Sequence, residues 1–159
     1  MVVGRRPMPA LRSVANDRRR MTNDSMADTF QLEIVTPEKM VIRDVAEEMQ
    51  IPGKDGYLGI LPGHAPLITE LAVGEITYRK ENYTHHLSVA WGFAEVLPDK
   101  VTILAETAER AEEIDARRAQ EARQRAESHL ATCNTEEDFK RTGGDLKRAE
   151  TRLEVAEKK

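Results

Sequence analysis

Residues 51–69, IPGKDGYLGILPGHAPLIT, hold four glycines (Gly53, Gly56, Gly59, Gly63) and three prolines (Pro52, Pro62, Pro66) in nineteen positions. Glycine reaches backbone angles that other residues avoid, and proline fixes one angle and removes a donor. No helix runs through such a segment. Ile51, Tyr57, Leu58, Ile60, Leu61, Leu67 and Ile68 nevertheless keep it apolar. It reads as a set of tight turns pinned onto a core, at the rigid end of a small β domain. Such ends often carry contact surfaces.

The flanking sequence supports that domain. Phe30, Leu32 and Ile34 alternate with Gln31, Glu33 and Val35, the period of two of a half-buried strand. Thr36-Pro37 turns the chain. Further strands are expected over residues 39–43, 45–51, 75–79, 83–90, 92–97 and 100–105, with turns at Lys80-Glu81-Asn82 and Pro98-Asp99. Short strands at this spacing predict a β-sandwich or small barrel spanning residues 26–105. Roughly eighty residues suffice for one such core.

The pattern changes at Glu106. Residues 107–130 lack glycine and proline, and Ala108, Ala111, Asp115, Ala119, Ala122, Ala126 and Leu130 fall on one stripe at steps of three and four. A helix is expected there. A second begins near residue 135, where either Asn134 with Glu137 or Thr135 with Asp138 forms a capping box. In it Phe139, Leu146 and Leu153 recur every seven residues, as do Thr142, Ala149 and Ala156, a heptad-like seam. A link of about four residues folds the two helices back antiparallel. Residues 106–159 therefore read as an α-helical hairpin whose alanine stripe faces a leucine seam. Such an interface buries little area and is marginal alone. Gly143-Gly144 weakens the second helix further, by roughly 1 kcal/mol per glycine relative to alanine.

Charge is unevenly spread. Residues 1–25 hold six arginines and two aspartates; residues 26–105 hold six basic and twelve acidic side chains; residues 106–159 hold twelve and fourteen. An acidic β domain argues against a nucleic-acid partner, which needs a positive field. Residues 1–25 show no period and read as a disordered basic extension, with Met26 as the natural beginning; a targeting or lipid-attracted arm is the alternative. Cys133 is the single cysteine, so no internal disulfide forms. No run approaches the eighteen apolar residues of a membrane span.

Few motifs carry chemistry, and no catalytic residue is expected. Gly53-Lys54-Asp55-Gly56 lacks the ending and the following helix of a phosphate loop. His85 and His86 are adjacent on a strand and point to opposite faces. His129 and Cys133 lie four apart, but two ligands do not make a metal site, and none is expected. Ser88 and the histidines form no nucleophile constellation. His64 sits in a tight turn, either as a ring bonded to a neighbouring carbonyl or as a contact residue. On the hairpin, Glu109, Asp115, Arg118, Arg125, Arg148 and Arg152 form either a solvated, salt-bridged face or an anion site. Arginine forks from two helices suit phosphate.

Residues 26–159 resemble the epsilon subunits of bacterial F-type ATP synthases. The signatures are FQLEIVTP at 30–37, IPGKDGYLGILPGHAPLIT at 51–69, VTILAETAERA at 101–111 and IDARRA at 114–119. The resemblance implies an α+β protein, a ten-stranded β-sandwich followed by the hairpin, in the rotating central stalk. It implies no catalysis by this chain. It implies a sandwich bound to the gamma subunit and to the ring of c subunits, with Gly56, Tyr57, His64, Ala65 and Pro66 facing the ring. Many members carry an acid at the position of Tyr57, and this departure removes the basis for expecting an ion pair to the ring at that point. The implied location is peripheral, on the cytoplasmic face of the bacterial inner membrane. In that family the hairpin is a switch. Folded down it packs on the sandwich; extended it reaches the alpha/beta catalytic hexamer and blocks ATP hydrolysis. No cofactor is obligatory, but some members bind ATP as a regulatory ligand through Ile/Leu-Asp-x-x-Arg-Ala. Here that motif is Ile114, Asp115, Arg118 and Ala119, with Glu109, Arg125, Arg148 and Arg152 in support. An organellar homologue, or a free-standing sandwich adaptor, is the competing expectation.

Overall fold

The computed structural model describes residues 28–159; the expected basic extension lies outside them. Eight strands come first: β1 (Phe30–Val35), β2 (Met40–Ala46), β3 (Glu48–Gly53), β4 (Gly56–Ile60), β5 (Leu67–Glu70), β6 (Gly74–Lys80), β7 (Tyr83–Val96) and β8 (Lys100–Arg110). A single 3-10 turn (Ala111–Glu113) leads into α1 (Ala116–Leu130) and α2 (Glu136–Ala156).

Eight strands give the expected ten-stranded sandwich because β7 and β8 each serve both layers. The first half of β8 pairs with β1, which pairs with β2, while the end of β7 pairs with β5. The second half of β8 lies beside the start of β7, followed by β6, β3 and β4. Each layer thus holds five strand segments. The β7–β8 ribbon passes from one layer to the other at Trp91-Gly92, where both residues have positive φ, 52° and 115°. The ladder resumes in the same register on either side, from Ala90↔Thr107 to Gly92↔Ala105. A Cβ on Gly92 would sit 1.9 Å from the Leu104 carbonyl oxygen, so only glycine fits the crossing.

One core lies between the layers. Leu32, Ile34, Ile51, Ile76, Leu87, Val89, Val96, Val101 and Ile103 are all buried in it. Aliphatic side chains dominate, as expected of a chain with only 4% aromatic residues. The chain crosses between layers again after Ala46, and polar contacts staple that edge. Lys80 Nζ lies 2.6 Å from Asp44 Oδ1, Arg79 pairs with Glu47, and Arg110 donates to the Val41 carbonyl. Burial, with Asp44 beside it, pushes the Tyr78 hydroxyl up to about 12.

Four expectations need correction. The two strands expected over residues 83–90 and 92–97 are one, β7, because its ladder with β8 continues in register through Trp91-Gly92. The break between the second and third strands falls at Glu47, not Asp44, because the chain changes layer there and Glu47 N–H bonds the Arg79 carbonyl. The helix expected from Thr107 starts at Ala116, since residues 107–110 continue β8 against Leu87–Ala90 and bury Ala108. Helix-forming composition there is overridden by ladder hydrogen bonds and core burial. The turn-rich stretch also contains two strands, β4 and β5, between its turns.

Replacing Gly92 by Ala forces a Cβ into a carbonyl at a positive φ. The expected loss is at least ~2 kcal/mol, read as a lowered midpoint in urea; an unchanged midpoint would show that the crossing tolerates a side chain.

Candidate functional site

The outer face of the second layer carries one row of residues across three strands: Glu75 on β6, Ser88 on β7 and Glu109 on β8. Ser88 is 4% exposed beneath the hairpin. Two strand spacings separate the acids by about 9.6 Å. On the hairpin, Arg152 lies near the end of α2 and Lys158 just past it. Each cation meets one acid. Arg152 makes a two-pronged contact with Glu109 at 2.6 and 3.1 Å, and Lys158 Nζ lies 2.6 Å from Glu75. His86 bonds the other oxygen of Glu75. The apolar part of this joint is small: Ala111, Ile114 and Val155, with Ala156 beside them.

Trp91 completes the joint. Its ring edge would lie 3.1 Å from a Cβ on Gly144, and the Arg148 guanidinium sits 5.7 Å from its ring centroid. The helix-weakening glycine is therefore the place where the indole reaches the helix backbone, and Arg148 covers it by cation–π attraction. Sequence reading missed Trp91. The available signal was the single tryptophan followed by glycine between two strand segments.

Within the hairpin, Asp115 caps α1 by accepting from the Arg118 N–H, and Thr135 caps α2 by accepting from the Asp138 N–H. The Thr135–Asp138 spacing is thus the one used for the cap. The helices meet through Ala119, Ala126, Thr142 and Ala149, all buried. The leucine seam does not form the interface: Phe139 is exposed, and Leu146 and Leu153 are only half-buried. Of the two seven-residue series, the small-residue one faces inward because it lets the helix axes approach closely.

The arginine constellation is only partly gathered. Ile114 and Ala119 are buried, and Asp115 is occupied as a cap. Arg152 is committed to Glu109. Arg125 and Arg148 line one cavity of about 420 Å³ between the helices, with Arg141, His129, Thr142 and Asp145. Among the described residues Arg118 and Arg125 make no ion pair, and Arg148 has Asp145 at 3.4 Å.

The turn residues divide between the two ends of β4. Gly56, with φ 136°, opens β4 beside Tyr57. The Tyr57 hydroxyl accepts from the Glu75 N–H at 3.2 Å while its ring stays exposed. His64, Ala65 and Pro66 follow β4, about 13 Å further along. There the His64 ring Nδ1 is 2.6 Å from the Ala65 carbonyl, and Gly63 N–H is tied to the Pro98 carbonyl. His64 thus stiffens its own turn.

These features define a class: a rigid sandwich bearing a helical hairpin held down by a few ion pairs, one indole and a small apolar contact. Two family models divide the chain at the same joint. The model of the ATP synthase delta/epsilon chain β-sandwich domain matches residues 29–111, and that of its long α-helix domain matches residues 112–157. The chain therefore belongs to the ATP synthase delta/epsilon chain family. It is 47% identical over 133 residues to the ATP synthase epsilon chain of Syntrophobacter fumaroxidans, covering 84% of this chain and 99% of that one. It is 71% identical over 111 residues to that of Koribacter versatilis, covering 70% and 78%. The fold also matches a chain in the Euglena gracilis mitochondrial ATP synthase structure (OSCP/F1/c-ring) with a TM-score of 0.70 at 22% identity, covering 86% of each chain. A chain of the Tetrahymena thermophila central stalk/c-ring structure gives 0.58 at 11% identity, covering 79% of this chain and 95% of that one.

Trp91 is the only tryptophan, so its fluorescence reports the joint. Arg152→Ala leaves Glu109 unpaired and is expected to red-shift the emission and raise quenching by iodide, with unchanged far-ultraviolet circular dichroism. Added salt is expected to move the native protein the same way. An emission maximum indifferent to both would show that ion pairs do not hold the hairpin.

Proposed function

We propose that this chain is a non-catalytic central-stalk subunit of a proton-translocating F-type ATP synthase. It couples c-ring rotation to ATP synthesis and restrains ATP hydrolysis through its hairpin. Its partners are the gamma subunit, the c ring and, transiently, the alpha/beta hexamer. It sits peripherally at the cytoplasmic face of the bacterial inner membrane; among the described residues no helix is long and apolar enough to cross one.

The observation that carries the reading is the joint. A hairpin held by partly exposed ion pairs, each worth about 0–1 kcal/mol, can leave its seat when another surface offers comparable contacts. For the rotor side, the outer face of the first layer offers a row of Met40, Val35, Leu104 and Phe93, paired across four strands. Met40, Leu104 and Phe93 are 42%, 55% and 56% exposed. Exposed apolar rows of this kind mark contacts with other proteins.

The test uses a catalytic stalk complex lacking this subunit. The full chain is expected to bind and to lower ATP hydrolysis several-fold, whereas a chain ending at Ala111 binds without inhibiting. Binding of both with inhibition by neither would remove the braking role; binding of neither would remove the partner.

ATP is the proposed regulatory ligand of the folded-down hairpin, favoured by the cavity that Arg125 and Arg148 share and by Arg118, which makes no ion pair among the described residues. Calorimetry on the full chain is expected to show saturable ATP binding, weakened about tenfold or more by Arg125→Ala, since charge-assisted contacts to phosphate are worth roughly 1.5–3 kcal/mol. Heat indistinguishable from dilution at millimolar ATP would dismiss it.

A further inference from the structure

The closed end of the hairpin brings together three metal-ligating side chains of three kinds. His129 stands in the last turn of α1, Cys133 in the link and Asp138 in the first turn of α2. Their ligand atoms all lie within 4.8 Å of one another, the one such group of three among the described residues. We propose that His129, Cys133 and Asp138 bind a zinc-class divalent cation, with water in the fourth position. The proposal stands apart from the reading of the chain as a stalk subunit.

The geometry is arranged around the gap between the ligands. His129 Nε2 faces Asp138 Oδ2 at 3.7 Å, too long for a hydrogen bond. The edge of a tetrahedron with metal bonds of about 2.0–2.1 Å to nitrogen and oxygen is roughly 3.3 Å. A cation between the two atoms needs a closure of a few tenths of an ångström. The outward-facing contacts are already made. The buried Thr142 hydroxyl lies 2.9 Å from His129 Nδ1, which leaves Nε2 as the ligating nitrogen. Arg141 holds the other oxygen of Asp138 at 2.8 Å. Partners of this kind, bonded to the far side of each ligand, orient ligands and raise metal affinity.

Cys133 supplies the third ligand. Its thiol now donates to the His129 carbonyl at 3.2 Å and lies 3.7 Å from the Thr142 hydroxyl. Binding displaces the S–H proton to solvent and turns the thiolate to the metal. The thiolate, imidazole and carboxylate together select a borderline ion over magnesium or calcium, which take oxygen ligands. His129 is exposed and the other two are half-buried, so solvent metal reaches the group. A bound ion clamps the end of α1 to the start of α2 and so stabilises the antiparallel hairpin.

Cobalt(II) is the probe, added to the untagged, fully reduced chain. Saturation at one equivalent is expected, with a thiolate-to-cobalt charge-transfer band and the intense visible bands of a tetrahedral site. Zinc should bleach them. Cys133→Ser should abolish the charge-transfer band. Asp138→Asn and Thr142→Val should weaken binding about 10- to 100-fold. His85→Gln, on the sandwich, should leave the titration unchanged. Circular dichroism of each variant checks the fold. Saturating zinc should raise the thermal midpoint of the native chain and not that of Cys133→Ser. Absence of saturable cobalt binding would overturn the proposal, as would a band that survives Cys133→Ser or is lost with His85→Gln.

Discussion

The structure depends on the backbone crossing at Trp91-Gly92. Its positive φ angles let one long β7–β8 ribbon serve two layers, so that a single core forms between them. The Leu104 carbonyl occupies the space a side chain at residue 92 would need. The same bend places the Trp91 indole against Gly144 and Arg148. One local conformation thus closes the sandwich and supplies an anchor for the hairpin. Two glycines in different parts of the chain, one in a strand and one in a helix, serve the same contact from its two sides.

The sandwich and the joint are built on different physics. The core between the layers is aliphatic and fully buried, which makes it strong and insensitive to salt. The joint is an electrostatic match of two acids to two cations, with three apolar residues beneath. Interactions of that kind are screened by ions and replaceable by other charged surfaces. The hairpin itself is held by small residues, Ala119 and Ala126 against Thr142 and Ala149. The division of strength sets a firmly packed platform beside a hairpin whose seat on it is weakly held.

Much of the fold was legible in the residues. Alternation at Phe30, Leu32 and Ile34 marked β1, and all three are buried. The Thr135–Asp138 spacing marked the start of α2. The glycines and prolines of residues 51–69 marked its turns, but β4 and β5 between them were not legible. The candidate site was less legible. Glu109 and Arg152 were both singled out, yet nothing in their order said that they pair across 43 residues. Asp138 read only as a helix cap, so its approach to His129 was invisible. Leu146 and Leu153 looked like the seam because apolar size was weighed and close approach was not.

Local sequence determined what depends on neighbours along the chain: periodicity, turns, caps and the absence of a helix through the glycine- and proline-rich stretch. The resemblance carried by its motifs determined the family. Only tertiary structure decided where β8 ends, which face of α2 turns inward, and which charges meet. Residues 107–110 have helix-forming composition but extend as a strand, because they pair with Leu87–Ala90, 17 to 23 residues back along the chain. The row of Glu75, Ser88 and Glu109 exists only when three strands are in register. A contact between residues distant in sequence is set by the sum of all the packing between them, and no local pattern records that sum.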